Sequence, residues 1–223
     1  MLVRLLGVVV VLLAATIGLP LLTRAGALRG RGWPAILGYF TCLGLGFILI
    51  EVGLVQRLIL LLGKPVYALA LILSTMLLAS GAGSFASGRP ATDRIVAGLP
   101  RLLFVVAGLL AVLAIFLPGW IRGLLGTPFA VRVAASLLAV AFPAFLMGMA
   151  FPSGVRVLGE TGRQKLVPWV WGVNGATSVL ASVLAIILAI EFGYTVVFLL
   201  GAACYLGAAL FFRGWAAPLR AGG

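Results

Sequence analysis

Of the 223 residues, 64% are hydrophobic and 9% are charged, with a mean hydropathy of +1.29. A soluble domain carries about a quarter charged residues, so this chain cannot cover itself with polar surface and its solvent must be lipid. The net charge of +12 would suggest nucleic acid in a soluble protein, but the basic residues sit in short gaps between apolar runs, as topology signals do, and no nucleic-acid partner is expected.

Seven apolar stretches approach the ~20 residues that cross a bilayer: Leu2 to Leu22, Ala35 to Leu58, Val66 to Ala86, Leu102 to Ile121 with Pro118 near its end, Val131 to Phe151, Trp169 to Ile190, and Tyr194 to Phe212. The first resembles the apolar part of a signal peptide, yet it is long and lacks a small-residue cleavage site, so it is read as a span. No linker divides the chain. The expectation is an all-α, multi-pass helix bundle in one domain, residues 1–223, with about seven transmembrane helices, or six if the first is removed.

Charge asymmetry sets the expected orientation. Arg24, Arg29, Arg31, Arg89, Arg94, Arg101, Arg156, Arg163, Lys165, Arg213 and Arg220 fall on one side, against Arg4, Lys64, Arg122 and Arg132 on the other. By the positive-inside rule the C-terminus is cytoplasmic and the N-terminus outside.

Polar residues within spans are costly and are functional candidates by default. Glu51 stands first, in Phe47-Ile48-Leu49-Ile50-Glu51-Val52-Gly53. Gln56 and Arg57 follow, but six residues along a helix put Arg57 roughly 120° from Glu51, so the two do not share a face. Glu191 ends the sixth span on the side of Arg57 and Lys64. An interhelical ion pair among these three is one expectation; a proton or cation site formed by Glu51 and Glu191 is the other. Asn174 is expected to bond a neighbouring helix.

Small residues let membrane helices approach closely. The sixth span presents Gly172, Ala176, Ser178, Ser182, Ala181, Ala185 and Ala189 at helical spacing, and the third ends in Ser80, Gly81, Gly83 and Ser84. A faint internal echo links Ser87-Gly88-Arg89 with Ser153-Gly154 and Arg156, as repeated hairpins do in transporters.

Catalytic motifs are missing. Gly44-Leu45-Gly46 and Gly81-Ala82-Gly83 lack the third glycine of a dinucleotide loop, and Gly63-Lys64 lacks the upstream glycine of a phosphate loop. Histidine is absent, which rules out Ser–His chemistry. Cys42 and Cys204 lie singly in apolar runs, so no metal, haem or other cofactor is expected. The last span has no lysine for a retinal Schiff base.

The run Gly44-Leu45-Gly46-Phe47-Ile48-Leu49-Ile50-Glu51-Val52, then Gln56-Arg57 and Gly63-Lys64-Pro65-Val66-Tyr67, resembles the membrane segment of bacterial spermidine-synthase-like membrane proteins. Gly81-Ala82-Gly83-Ser84, Met147-Gly148-Met149-Ala150-Phe151-Pro152-Ser153-Gly154, Pro168-Trp169-Val170-Trp171-Gly172-Val173-Asn174-Gly175-Ala176 and Glu191-Phe192-Gly193-Tyr194 extend the resemblance over residues 36–212. In that family such helices are joined to a soluble aminopropyltransferase-like domain of Rossmann type and look somewhat like half of a major-facilitator transporter. The resemblance implies a multi-pass protein of the bacterial cytoplasmic (inner) membrane, with Glu51, Gln56, Arg57, Tyr67 and Asn174 as the carried-over motif set. The enzyme's glycine loop and acidic polyamine site have no counterpart, so no catalytic residue carries over. Three functions are expected, in this order: a non-catalytic membrane subunit assembling with other membrane proteins or itself; a small-solute or proton-coupled half-transporter acting as a dimer, with Glu51 near the path; and the membrane anchor of a separate soluble aminopropyltransferase-like enzyme.

Overall fold

The computed structural model describes residues 2–15 and 32–220. These are helical apart from short connections, with no strand among the described residues. The helices are α1 (Leu2–Leu13), α2 (Trp33–Leu62), α3 (Pro65–Ser87), α4 (Thr92–Leu124), α5 (Phe129–Glu160), α6 (Val167–Phe192) and α7 (Tyr194–Arg220), with a short 3₁₀ turn, Gln164–Leu166, before α6. Six of these, α2 to α7, are long and apolar enough to cross a membrane. Of the first expected span only α1 and the residues up to 15 are described, so its remainder, and Arg24, Arg29 and Arg31, lie outside the described residues.

Local signals explain the boundaries. Proline occupies one of the first two positions of α2, α3 and α6, where its missing N–H costs nothing. Gly63 (φ 75°) closes α2 by donating its N–H to the Ile59 carbonyl, a left-handed cap that glycine adopts without a Cβ penalty. The helices run longer than expected. α4 begins at Thr92 rather than near Leu102 and carries Pro100 and Pro118 inside it, and α5 carries Pro143 and Pro152; neighbouring helices let membrane helices tolerate such prolines. At 1.5 Å per residue, the 33 residues of α4 extend well beyond a hydrocarbon core ~30 Å thick.

Connections this short make successive long helices antiparallel, so α2 and α5, three helices apart in chain order, run in opposite directions. The principal packing partners are α2 with α6 and α7, α3 with α5, and α4 with α7 and α5. Exchanging α2 with α5, α3 with α6 and α4 with α7 maps these pairings onto one another. The helix pairing therefore has the symmetry of an inverted repeat of two units, α2–α4 and α5–α7.

Residues at the two matching crossings bear this out. On α2, a Cβ at Gly44 would overlap Thr177 and Asn174 of α6; on α5, a Cβ at Gly148 would overlap the backbone of Ser80 on α3. Leu43-Gly44-Leu45-Gly46-Phe47 aligns with Met147-Gly148-Met149-Ala150-Phe151, and Ser80-Gly81-Ala82-Gly83-Ser84 with Asn174-Gly175-Ala176-Thr177-Ser178. The echo between Ser87-Gly88-Arg89 and Ser153-Gly154-Val155-Arg156 is of another kind. Those segments lie at the end of α3 and within α5, helices that touch each other rather than being equivalent: Arg156 Nη1 donates to the Gly88 carbonyl at 2.9 Å.

Buried aromatics fill the interior where α2, α5 and α7 meet. Tyr39 packs edge-on to Phe40 with ring centroids 4.9 Å apart, and Phe212 to Trp215 at 5.0 Å. The Tyr39 hydroxyl donates to the Ala150 carbonyl at 2.6 Å, so the buried phenol is satisfied.

Candidate functional site

A chamber of about 100 Å³ lies beside the α2–α6 crossing. Leu43, Gly44 and Phe47 of α2 face Met147 and Phe151 of α5, while α6 contributes Asn174 and Ser178 and α7 contributes Tyr205. Leu43 and Met147, and Phe47 and Phe151, hold equivalent positions in the two repeats, so the chamber is walled by matching residues of both units. Asn174 Nδ2 donates to the Phe40 carbonyl at 3.1 Å, which is the interhelical bond expected of it, and Ser178 Oγ donates to the Gly44 carbonyl at 3.4 Å. The first is a full hydrogen bond and the second sits at the long limit. The volume suits a few water molecules.

Glu51 stands one helical turn beyond Phe47 on the stripe Leu43–Phe47–Glu51, residues four apart sharing a helix face. It is half-buried, and none of the described residues bonds or pairs with it. A carboxylate in a membrane helix costs about 2.5–3.5 kcal/mol on insertion scales; Glu51 does not itself line the chamber but stands one turn along the helix from Phe47, which does.

The other sequence-expected residues fall elsewhere. Gln56 and Arg57 line a cleft of about 610 Å³ with Arg122 and Tyr194. Lys64 and Tyr67 line another, of about 600 Å³, with Phe129 and Arg132. The expected ion pair of Glu191 with Arg57 and Lys64 does not form: Arg57 Nη2 donates instead to Thr195 Oγ1 of α7 at 2.6 Å, and Lys64 Nζ lies over the Tyr67 ring at 5.6 Å. Glu191, exposed at the end of α6, is not brought near Glu51's stripe by any bond. Of the small-residue series on α6, Ser178 reaches α2, and Ala181 and Ala185 are buried against Leu49 and Val197. Ala176 is partly buried, and Ser182 bonds within its own helix, to the Val179 carbonyl. Gly172 is exposed, with nothing within 4 Å of a Cβ placed there. No three metal-ligating side chains gather among the described residues.

An Arg156 cluster ties the opposite end together. Arg156 Nη1 donates to the Gly88 and Pro90 carbonyls at 2.9 and 2.8 Å, its Nε pairs with Glu160 Oε1 at 3.0 Å, and Thr92 Oγ1 donates to the other Glu160 oxygen. Arg57 and Arg156 thus play matching parts. Each sits near the end of the first helix of its unit and bonds the junction between the second and third helices of the other.

Sequence reasoning passed over Phe47 and Tyr205 as chamber residues, and Arg132 as a second cation in the cleft of Lys64. The signal for Phe47 and Phe151 was present in the aligned five-residue runs around Gly44 and Gly148. No protein-family model matches the chain, and neither a curated protein nor a solved structure matches it.

Proposed function

We propose that the chain is a transporter-type membrane unit that carries a small solute or proton across the bacterial cytoplasmic membrane, with a second copy completing the path. The observation that carries this is the inverted repeat whose two units wall the same chamber. In transporters built from inverted repeats, the substrate site lies at the repeat interface near the membrane midplane, and rocking of the units exposes it alternately to either side. The resemblance of the helices to half of a major-facilitator transporter supports the same reading. It is favoured over the non-catalytic subunit because a passive anchor has no need of matched crossings around a cavity. The chain performs no catalytic step of its own in this account.

The chamber is lined by amide, hydroxyl, aromatic and aliphatic groups, with no charged side chain. Its ligand is therefore small and neutral, or a proton that passes on to Glu51, one helical turn from Phe47 and outside the chamber lining. The Arg156 end faces the cytoplasm, since the basic residues Arg89, Arg94, Arg156, Arg163 and Lys165 gather there. Exposed apolar side chains on the outer faces of α3, α5 and α6, such as Leu78, Leu138 and Ile186, meet lipid or the second copy.

Reconstitution tests this. With the protein in sealed liposomes holding a pH-sensitive dye, an imposed membrane potential should drive proton movement above that of protein-free vesicles. Glu51→Gln should bring it down to that leak, while Glu191→Gln should leave it unchanged. Equal flux through wild type and Glu51→Gln would remove Glu51 from the path.

A further inference from the structure

Where α3 and α5 begin, a cleft of about 600 Å³ opens among Leu62, Gly63, Lys64, Tyr67, Phe129 and Arg132. Two cations from different elements meet in it, and neither has a carboxylate. Lys64 Nζ sits 5.6 Å from the centroid of the Tyr67 ring, and the Arg132 guanidinium 5.6 Å from that of Phe129, so aromatic faces hold the charges. Arg132 Nη1 donates to the Leu61 carbonyl at 3.0 Å, which fixes the guanidinium against the end of α2, and its Nε is buried without a partner. Of the four acids in the chain, Asp93 and Glu160 belong to the opposite end, Glu51 lies within α2, and Glu191 pairs with neither cation.

The helix starts add to the imbalance. Neither α3 nor α5 has an acidic residue in its first turn or a side-chain cap on its N-terminus. Acidic first-turn residues normally offset the positive end of the helix dipole; here that end stands beside Lys64 and Arg132 instead. A guanidinium fixed by its bond to the Leu61 carbonyl and an exposed ammonium around one cleft match the acceptor oxygens of a phosphate group. The exposed rings of Tyr67 and Phe129 have the amphipathic placement of aromatic residues at the headgroup level of a bilayer.

We propose that this cleft binds a phosphate group at the membrane surface, with Lys64 and Arg132 as its ligands. The site is separate from the chamber and does not depend on transport. Its phosphate is supplied by the headgroup of an anionic phospholipid or by free phosphate, and binding to the full chain in detergent distinguishes the two. Native mass spectrometry would be run with phosphatidylglycerol, with phosphatidylcholine and with inorganic phosphate. Wild type should retain phosphatidylglycerol over phosphatidylcholine, and Lys64→Gln and Arg132→Gln should each weaken retention about tenfold, equivalent to ~1.4 kcal/mol. Lys64→Arg should keep it. Arg122→Gln, which removes a cation from the neighbouring cleft, should not alter it. Retention of inorganic phosphate alone, lost in the same two variants, would also support the site and name free phosphate as its source. Lys64 is exposed, so Lys64→Gln should melt with wild type and its result is not confounded by unfolding. Equal retention by wild type and Lys64→Gln, or an equal loss in Arg122→Gln, would overturn the proposal.

Discussion

Gly148→Ala should lower the melting temperature of the detergent-solubilised protein sharply, whereas Gly81→Ala should leave it unchanged or raise it slightly. Both changes add one methyl group to a glycine in a long membrane helix. At Gly148 the new Cβ would overlap the Ser80 backbone on α3, while at Gly81 nothing lies within 4 Å. Ordinary overpacking costs about 1–3 kcal/mol, and here the obstacle is main chain, which cannot rotate away as a side chain would. The cost should therefore reach or pass the upper end of that range. At Gly81 the substitution should instead gain up to ~1 kcal/mol of helix propensity. Should the two variants melt together, α3 and α5 would not approach as closely as described, and half of the inverted repeat would lose its support.

The second large effect is expected at Arg156. Its guanidinium holds the Gly88 and Pro90 carbonyls, in the connection between α3 and α4, against the end of α5. The pair with Glu160 is solvent-exposed, with side chains 33% and 47% accessible, and exposed pairs contribute little. The stability effect resides in the two carbonyl bonds from a charged donor, together about 3 kcal/mol at the lower end of the range for such bonds. Arg156→Ala should lower the melting temperature and speed hydrogen exchange in residues 88–92. Arg156→Lys should recover only part of it, because an ammonium lacks the planar fork that serves several acceptors at once. Unchanged exchange in Arg156→Ala would mean that the connection is held by other contacts.

Much of the fold was visible in the sequence, because burial in lipid leaves a coarse and redundant signal. Apolar runs long enough to span a membrane, punctuated by Pro65, Gly63 and Gly193, locate the helices without reference to their neighbours. Azimuth is a different matter. Arg57, Lys64 and Glu191 share one end of the bundle, yet Arg57 turns toward Thr195 and Lys64 toward Tyr67, since a common depth does not place side chains on facing surfaces. The glycines show the same limit. With 30 in the chain, composition cannot tell Gly148, jammed against Ser80, from Gly172, which faces open space. The repeat was obscured for a related reason: Ser87-Gly88-Arg89 and Ser153-Gly154-Val155-Arg156 look like copies of one motif, but the two segments are partners in a contact, Arg156 bonding Gly88. The true equivalents, around Gly44 and Gly148, differ at most aliphatic positions because lipid and core accept any of them.

Accessibility of the chamber tests the central claim most directly and requires no knowledge of the solute. Cys42 and Cys204 would be replaced by alanine and Ser178 by cysteine, giving one thiol at the chamber wall. A charged, membrane-impermeant maleimide would then be applied to either side of sealed vesicles. A unit that alternates its access predicts labelling of Ser178→Cys from both sides, with each side's rate altered when the Arg156 cluster is broken by Arg156→Ala. A folded protein whose Ser178→Cys thiol is labelled from neither side would contradict the transport account.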